Sequence, residues 1–566
     1  MTTHSATLTS RRRLLALDRR VAESAPLGAP PPSMAVLALN RMGFGPRPGD
    51  VAAFNALGAS DDARLSAYVA QQIWPGLDAQ DTEYWNRRNG LAGHPNPGFT
   101  TLGMTLTQLW QTYRTGGGSP SSRPVQEVRL DTLMRMVHSK WQLREVLVDF
   151  WMNHFNVYGF ETYTQETFVH WNRDVIRAHA FGNFRTMLEA VARSTTMLYY
   201  LDNYTNTRSG PNENWARELF ELHTLGAENY LGVGDPTAVP AGDPWPDGSP
   251  WPGQPAPAGY VDNDVYEAAR CFTGWGVDGT TGQFLYTDAN HDRFSKSVLH
   301  FGVLNVPADQ GPEIDGELVL DLLAHHPGTA RHIARKLCRR FVADDPPQAL
   351  VDQTAGVFLD NADSPNQIRT VLATLLQSAE FKESWGAKIK RPIEWAVSTL
   401  RATNGAWLFG FTSQNPLTTE SDTSNLISRQ SRTGQNLFAR VPPDGFPDRK
   451  EAWAGTNTRV QCWRLAGWLL DQRDESRPGS PYRSDVVGIT LASLPAGQRS
   501  SNQIVDFWVQ RILERSIDLV DRGELVDMLA AGASPSTQLD LTISSVASRL
   551  RSTVALILMI PDFFQK

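Results

Sequence analysis

Residues Asn212 to Gly226 read NENWARELFELHTLG and carry the clearest helix signal in the chain. Asn212 is a favoured N-cap residue, Glu213 complements the positive end of a helix, and Gly226 stands where a left-handed residue ends one. The pattern predicts a helix over residues 212–225. Helical periodicity recurs elsewhere, most extensively over residues 125–158, whereas strand-like alternation is limited to short hairpins near residues 282–299. The sequence therefore predicts an all-α protein: a large multi-helix body with long loops rich in proline and glycine, and at most minor hairpins.

The 566 residues are expected to form one helical domain over residues 31–566, preceded by a disordered tail over residues 1–30. The triplet Arg11-Arg12-Arg13 resembles a twin-arginine export signal, but charge at Asp18 interrupts the apolar segment that should follow it. A cytoplasmic location is therefore favoured, with export as the alternative. Residues 231–260 are too rich in proline and glycine for regular structure, which predicts a flexible insertion or, alternatively, a lid. Residues 410–453 form a second loop-rich stretch.

Composition excludes several classes of protein. The formal net charge of −7 provides no general basic surface for phosphates, so we expect no nucleic-acid partner. No apolar run approaches the roughly 18 residues of a membrane span. The three cysteines, Cys271, Cys338 and Cys462, are far apart and are expected to be small buried residues rather than a disulfide framework or a metal cage.

The helix over residues 212–225 has a chemically unusual face. At about 100° per residue, Asn214, Glu218 and Glu221 fall on one stripe together with apolar side chains, whereas His223 is expected to point well away. A carboxylate on an inward face must be paired, metal-bound or protonated, because an isolated buried charge is very costly. The structural alternative is a surface ion pair between Arg217 and Glu221.

A second helix adds an imidazole to this set, because His154 falls on the apolar face of its own helical pattern. Glu218, Glu221 and His154 are the candidate catalytic residues. The candidate substrate-binding residues are Asn214, Asp202, Asn203 and Arg217. If a divalent metal ion is the cofactor, its candidate ligands are Glu218, Glu221, His154, His291 and Asp292. Solvent exposure is the simpler expectation for His291 and Asp292, which follow an aromatic stretch, and for His325 or His326, which stand beside Pro327.

Four blocks resemble the family catalogued as domain of unknown function 1800. They lie in the family's order and span nearly the whole chain after residue 30: LNRMGFGP (39–46), FWMNHF (150–155), PNENWARELFELHTLG (211–226) and AARCFTGW (268–275). The resemblance implies a bacterial protein that is often exported and is often encoded beside a sulfatase-like partner protein. It implies no established activity. The chain departs from the usual FWHNHF pattern at Met152, where the family has its first histidine.

The leading functional hypothesis is a hydrolase-type enzyme with an inward Glu/Glu/His site. In it, a divalent cation activates water, or one acid and one base act directly on a glycosidic or ester bond. The family's frequent export suggests an envelope or extracellular polymer as substrate. One alternative is an iron- or copper-dependent redox enzyme. Another is a non-catalytic surface or assembly protein that acts with the sulfatase-like partner. Whether the protein is an enzyme therefore stays open at the level of sequence.

Overall fold

The computed structural model describes residues 31–246, 251–299, 305–407, 409–411, 421–473 and 482–566. The predicted tail over residues 1–30 lies outside these ranges. In the N-terminal half the α-helices are α1 (Met34–Arg41), α2 (Asp50–Asn55), α3 (Asp61–Ile73), α4 (Thr82–Asn89), α5 (Leu106–Leu109), α6 (Arg123–His138), α7 (Gln142–His154), α8 (Thr164–His170), α9 (Phe184–Ala192), α10 (Thr195–Tyr200), α11 (Asn214–Glu218) and α12 (Asp262–Cys271).

In the C-terminal half they are α13 (Ile314–His325), α14 (Pro327–Phe341), α15 (Gln348–Asp360), α16 (Gln367–Leu375), α17 (Ala379–Lys382), α18 (Pro392–Ala402), α19 (Ser421–Ser431), α20 (Thr456–Asp471), α21 (Val486–Ser493), α22 (Ser501–Leu513), α23 (Leu519–Ala530), α24 (Ser544–Ile557) and α25 (Pro561–Phe564). Within these ranges, three α-helices (α5, α8 and α11) continue directly into π-helical turns over Trp110–Thr115, Trp171–Arg177 and Leu219–His223.

Strands in the described residues are few and short, which confirms the predicted all-α class. Three antiparallel pairs are present: β1 (Ala241–Pro244) with β2 (Pro255–Pro257), β3 (Trp275–Val277) with β4 (Phe284–Tyr286), and β5 (Lys296–Ser297) with β6 (Asn305–Val306). The first pair corrects the expectation that residues 231–260 lack regular structure. Buried Trp245 and Tyr260 hold this stretch against the body, so that short backbone pairing survives between the prolines.

The helices enclose one continuous apolar core, which includes side chains from α1 near the start of the domain and from α25 at its end. Within it α14 packs on α15, α6 on α8, and α20 on α24. The three cysteines are buried and unpaired, as expected. Among the described residues, no helix has both the length and the hydropathy needed to traverse a bilayer.

Two regions differ from the sequence-based expectation. The long helix predicted over residues 125–158 is divided, because the Asp81 carboxylate accepts hydrogen bonds from the Ser139 hydroxyl (2.6 Å) and the Lys140 backbone N–H (2.9 Å) between α6 and α7. After this break, α7 is a separate helix that ends at His154, beside the segment over residues 214–223. The stretch over residues 410–453 contains a helix, α19, within its described part, so it is less loop-rich than expected.

Candidate functional site

The helix predicted over residues 212–225 is present only in part. Its α-helical segment covers Asn214–Glu218, and the chain then widens into a π-helical turn over Leu219–His223. The Thr224 hydroxyl donates to the Leu219 carbonyl (2.6 Å), and the Gly226 N–H donates to the Phe220 carbonyl (3.0 Å), which closes the widened turn. A π-turn holds more residues than an α-turn, so the buried face moves to Leu219, Phe220 and His223.

Glu218 and Glu221 lie at the edge of this buried face and are half-buried, rather than fully inward as expected. Among the described residues, neither carboxyl group has a hydrogen-bond or ion-pair partner. Partial burial, with the negative charges of Glu221 and Asp444, raises the pKa of Glu218 to about 7, against a smaller opposing effect of Arg217. Glu218 is therefore partly protonated at neutral pH and able to donate a proton.

Arg217 does not pair with Glu221. Its guanidinium binds Glu213 (2.8 Å) and Asp262 (3.1 Å) on the other side of the helix. Because two carboxylates already neutralise Arg217, the negative charge of Glu221 stays uncompensated by a direct contact. Glu218 and Glu221 therefore stand three residues apart, and neither is in direct contact with a cation among the described residues.

Further acidic side chains continue from this pair across the surface. We call the set Asp202, Glu161, Glu218, Glu221 and Asp444 the acidic row. Tyr200 is influenced by several of its members: its pKa is raised by burial, then by the charges of Glu161, Glu218 and Asp444. The pKa of Glu161 is itself raised by burial and by Asp202. The row is thus electrostatically connected, and Asp202, Glu161 and Asp444 are exposed to solvent.

The loop that carries Asp444 is held by the end of α7 and by the residues that follow it. The Asn153 side-chain amide exchanges two hydrogen bonds of 2.7 Å with the backbone of Phe446, and Asn156 donates to the carbonyls of Arg440 (3.0 Å) and Pro442 (2.8 Å). Both asparagines lie in the Phe150–Asn156 stretch, where the local sequence gives no sign of these contacts. Their side chains make backbone contacts at a separation of nearly 300 residues, which no local pattern reveals.

His154 is buried and is not in direct contact with the two acids. Its Nε2 lies 3.1 Å from the His223 carbonyl oxygen and donates to it, and no hydrogen bond or ion pair links it to Glu218 or Glu221 in the described chain. Burial, followed by the charge of Lys336, holds the pKa of His154 well below its ordinary value. The imidazole is therefore neutral and shielded from solvent, contrary to the expectation of a base that meets the acids directly.

Two further histidines surround His154, and we call His154, His223 and His332 the imidazole cluster. The ring centroids of His223 and His332 lie 6.0 Å and 6.3 Å from that of His154. His332 on α14 contacts the Leu222 carbonyl and Glu228, each at 3.3 Å. His223, expected to point away, is fully buried because the π-turn carries it inward. In the sequence, the one sign of this cluster was that His332 and Lys336 stand four residues apart in a helical pattern.

The expected binding residues are dispersed. Asn214 is exposed, and its backbone N–H is capped by Asn212. Asp202 has a left-handed backbone (φ +59°) and begins an exposed turn. Asn203 is buried, and its amide donates to the carbonyls of Phe272 and Trp275, so it fixes the backbone rather than facing solvent.

His291 and Asp292 belong to a separate buried network, which corrects the expectation that they are exposed. His291 contacts the Thr273 carbonyl (2.8 Å) and Asp315 (3.1 Å), and Asp292 pairs with Arg270 (2.8 Å). His325 and His326 are also buried. Within the described ranges, no three His, Cys, Asp or Glu side chains are arranged to hold a metal ion.

Comparison with known proteins adds a family but no activity. A scan against protein families matches residues 37–565 to the family described as "Protein of unknown function (DUF1800)". Searches of curated proteins and of solved structures gave no match. Because the match covers nearly the whole chain, this protein belongs to the DUF1800 family.

Proposed function

We propose that this protein is a hydrolase in which Glu218 and Glu221 act as an acid and a base on a glycosidic or ester bond. The observation that supports this is the pair itself: two solvent-reachable carboxyl groups on one turn, one with a pKa of about 7. A carboxyl group whose pKa is raised toward neutrality beside a second carboxyl group is a recurrent feature of general-acid sites.

In the proposed reaction, Glu218 gives its proton to the leaving oxygen as the scissile bond breaks. The Glu221 carboxylate takes a proton from the attacking water, whose oxygen forms the new bond to the reacting carbon. Solvent then returns a proton to Glu218 and removes one from Glu221. No redox partner is needed.

His154 is a positioning residue in this proposal. Its hydrogen bond to the His223 carbonyl attaches the end of α7 to the end of the π-turn, which carries Glu221 and directly follows Glu218. The neutral, buried imidazole fixes the turn without taking part in proton transfer. An envelope or extracellular polymer remains the proposed substrate, and the exposure of the acidic row suits a ligand that extends along the surface.

The test compares Glu218→Gln with Glu213→Gln on a panel of polysaccharides and acylated polymers, measured as released reducing ends and released acid. Glu213 stands on the same segment but is paired with Arg217 outside the acidic row. We expect Glu218→Gln to lower kcat by about 10²–10⁴-fold, and Glu213→Gln to change it less than about threefold. Wild-type activity should decline as pH rises above about 7, where Glu218 loses its proton. Full activity in Glu218→Gln would refute the proposal.

A further inference from the structure

A stack of aromatic rings stands beside the acidic row. Tyr163 and Tyr199 are parallel, with centroids 4.0 Å apart, and Tyr204 packs on Tyr199 at 4.4 Å. The guanidinium of Arg114 covers Tyr163 at 4.1 Å. Trp110 supports both inner tyrosines from the side, at 6.1 Å and 5.8 Å. The stack therefore begins on a cation and ends on Tyr204.

The end of the stack is open. Tyr204 is 42% exposed, and within the described residues its only ring contact is Tyr199. An exposed ring fixed by rings behind it is an oriented apolar surface, because its rotational freedom is already restricted before a ligand arrives.

The backbone that carries the stack adopts a positive φ at two positions. Tyr163 has φ +75° and Asp202 has φ +59°, and neither is glycine. Residues held in such conformations cost on the order of 1–3 kcal/mol each and are concentrated at ligand sites. Here the strain places Tyr163 under Tyr199 and turns the chain at Asp202 into the short helix Asn203–Thr205, which presents Tyr204.

The stack and part of the acidic row are carried by the same short stretches of chain. Glu161 lies two residues before Tyr163, Asp202 lies two residues before Tyr204, and Tyr200, next to Tyr199, interacts with Glu218. The exposed carboxylates of Glu161 and Asp202, two residues from stacked tyrosines, are able to accept hydrogen bonds from the hydroxyl groups of a ligand.

We propose that the open face of Tyr204 is a carbohydrate-binding platform that takes a pyranose ring of a neutral or amino-sugar polymer. A sugar ring presents axial C–H groups to an aromatic face and hydroxyl groups at its edge, which matches a tyrosine ring bordered by carboxylates. The negative charge of the acidic row disfavours uronate-rich and phosphate-rich polymers. This deepens the proposed function by naming its substrate class and rests on that function only for the link to hydrolysis, since binding is measured without turnover.

The experiment is calorimetric titration of the full chain, carrying Glu218→Gln, with cellohexaose, chitohexaose, laminarihexaose and maltohexaose. We expect at least one of these four to bind. Tyr204→Ala should weaken that binding at least tenfold, whereas Tyr204→Trp should retain it. The matched control is Tyr266→Ala, which removes a tyrosine of similar exposure (41%) on α12 and should leave Kd unchanged.

The possible results distinguish the carbohydrate-binding platform from the proposed hydrolysis. The proposal is overturned if none of the four sugars binds at millimolar concentration, if Tyr204→Ala and Tyr266→Ala bind alike, or if hexagalacturonate binds more tightly than all four. Tyrosine-dependent binding in a protein whose hydrolysis is unaffected by Glu218→Gln would support the platform and refute the proposed function. Hydrolysis lost in Glu218→Gln but unchanged by Tyr204→Ala would do the reverse.

Discussion

At the scale of single residues, the pH dependence of stability tests the environment of Glu218 independently of any substrate. Folding raises the pKa of this carboxyl group from 4.5 to about 7, so the folded state is penalised increasingly as pH rises through that window, and fully above it. Glu218→Gln removes the penalty. We expect the variant to exceed wild type in unfolding free energy by about 1–2 kcal/mol at pH 8, after allowance for solvent screening, and to equal it near pH 4. Denaturant titration at both pH values measures this.

Glu228 supplies a control of opposite sign. Its contact with His332 holds its pKa at about 2, so its contribution to stability is present above 4.5 and is lost as pH falls toward 2. Glu228→Gln should therefore be less stable than wild type at neutral pH. If both variants shift stability in the same direction at pH 8, the assigned environments are wrong.

Sequence reasoning identified the two acids but not their surroundings. Glu218 and Glu221 were recognisable because two carboxyl groups in a strong helical pattern must be accommodated at its apolar margin. Asn153 and Asp444 were not recognisable, because their contacts join distant parts of the chain. His154 was correctly placed in the core, yet its nearest polar partner is a backbone carbonyl that no side-chain pattern encodes.

Among the helices and turns, the π-turn over Leu219–His223 explains why the buried face of this segment differs from the predicted one. Helical-wheel reasoning assumes a constant angle per residue, and one widened turn shifts every side chain after Glu218. His223 thus moves from the expected outer side into the imidazole cluster. The existence of the helix was predictable from local chemistry, but its start at Asn214, its end at His223 and its widening were not, because they depend on packing.

Substitution of Gly226 tests the conformation of the π-turn. It has φ +94°, and an added Cβ would lie 2.6 Å from His332 Nδ1 and 2.5 Å from Glu228 Oε2. We expect Gly226→Ala to lower the unfolding free energy by about 2–3 kcal/mol, since strain and steric conflict add. Gly467→Ala, inside α20 with open space around its Cβ, should instead stabilise by about 0.5–1 kcal/mol. Thermal unfolding of the two variants should therefore shift in opposite directions, and a neutral Gly226→Ala would show that the turn has another conformation.

At the scale of the whole molecule, a buried ionic network joins parts of the chain that the sequence keeps far apart. Glu394 on α18 binds Arg340 of α14 (2.9 Å), Arg391 (3.4 Å) and Lys566 (2.7 Å). Asp149 on α7 also contacts Arg340 and Arg391. The helix that ends at His154 is thereby connected to α14, which carries His332. The acidic row and the imidazole cluster are therefore supported by a network that lies outside both.

Breaking this network should destabilise the molecule as one unit. Glu394→Gln leaves three cations without their shared buried carboxylate, and removing one partner of a buried ion pair typically costs about 3–5 kcal/mol. We expect that loss in denaturant unfolding followed by both tryptophan fluorescence and far-ultraviolet circular dichroism, with coincident transitions. The matched control is Asp506→Asn, whose partner Arg522 lies on the surface, and which should cost less than about 1 kcal/mol. Because those three cations hold the pKa of Glu394 well below its ordinary value, the difference between Glu394→Gln and wild type should diminish as pH falls. Equal, small effects of the two variants would mean that the network does not couple α7 to α14, and that the site depends on apolar packing alone.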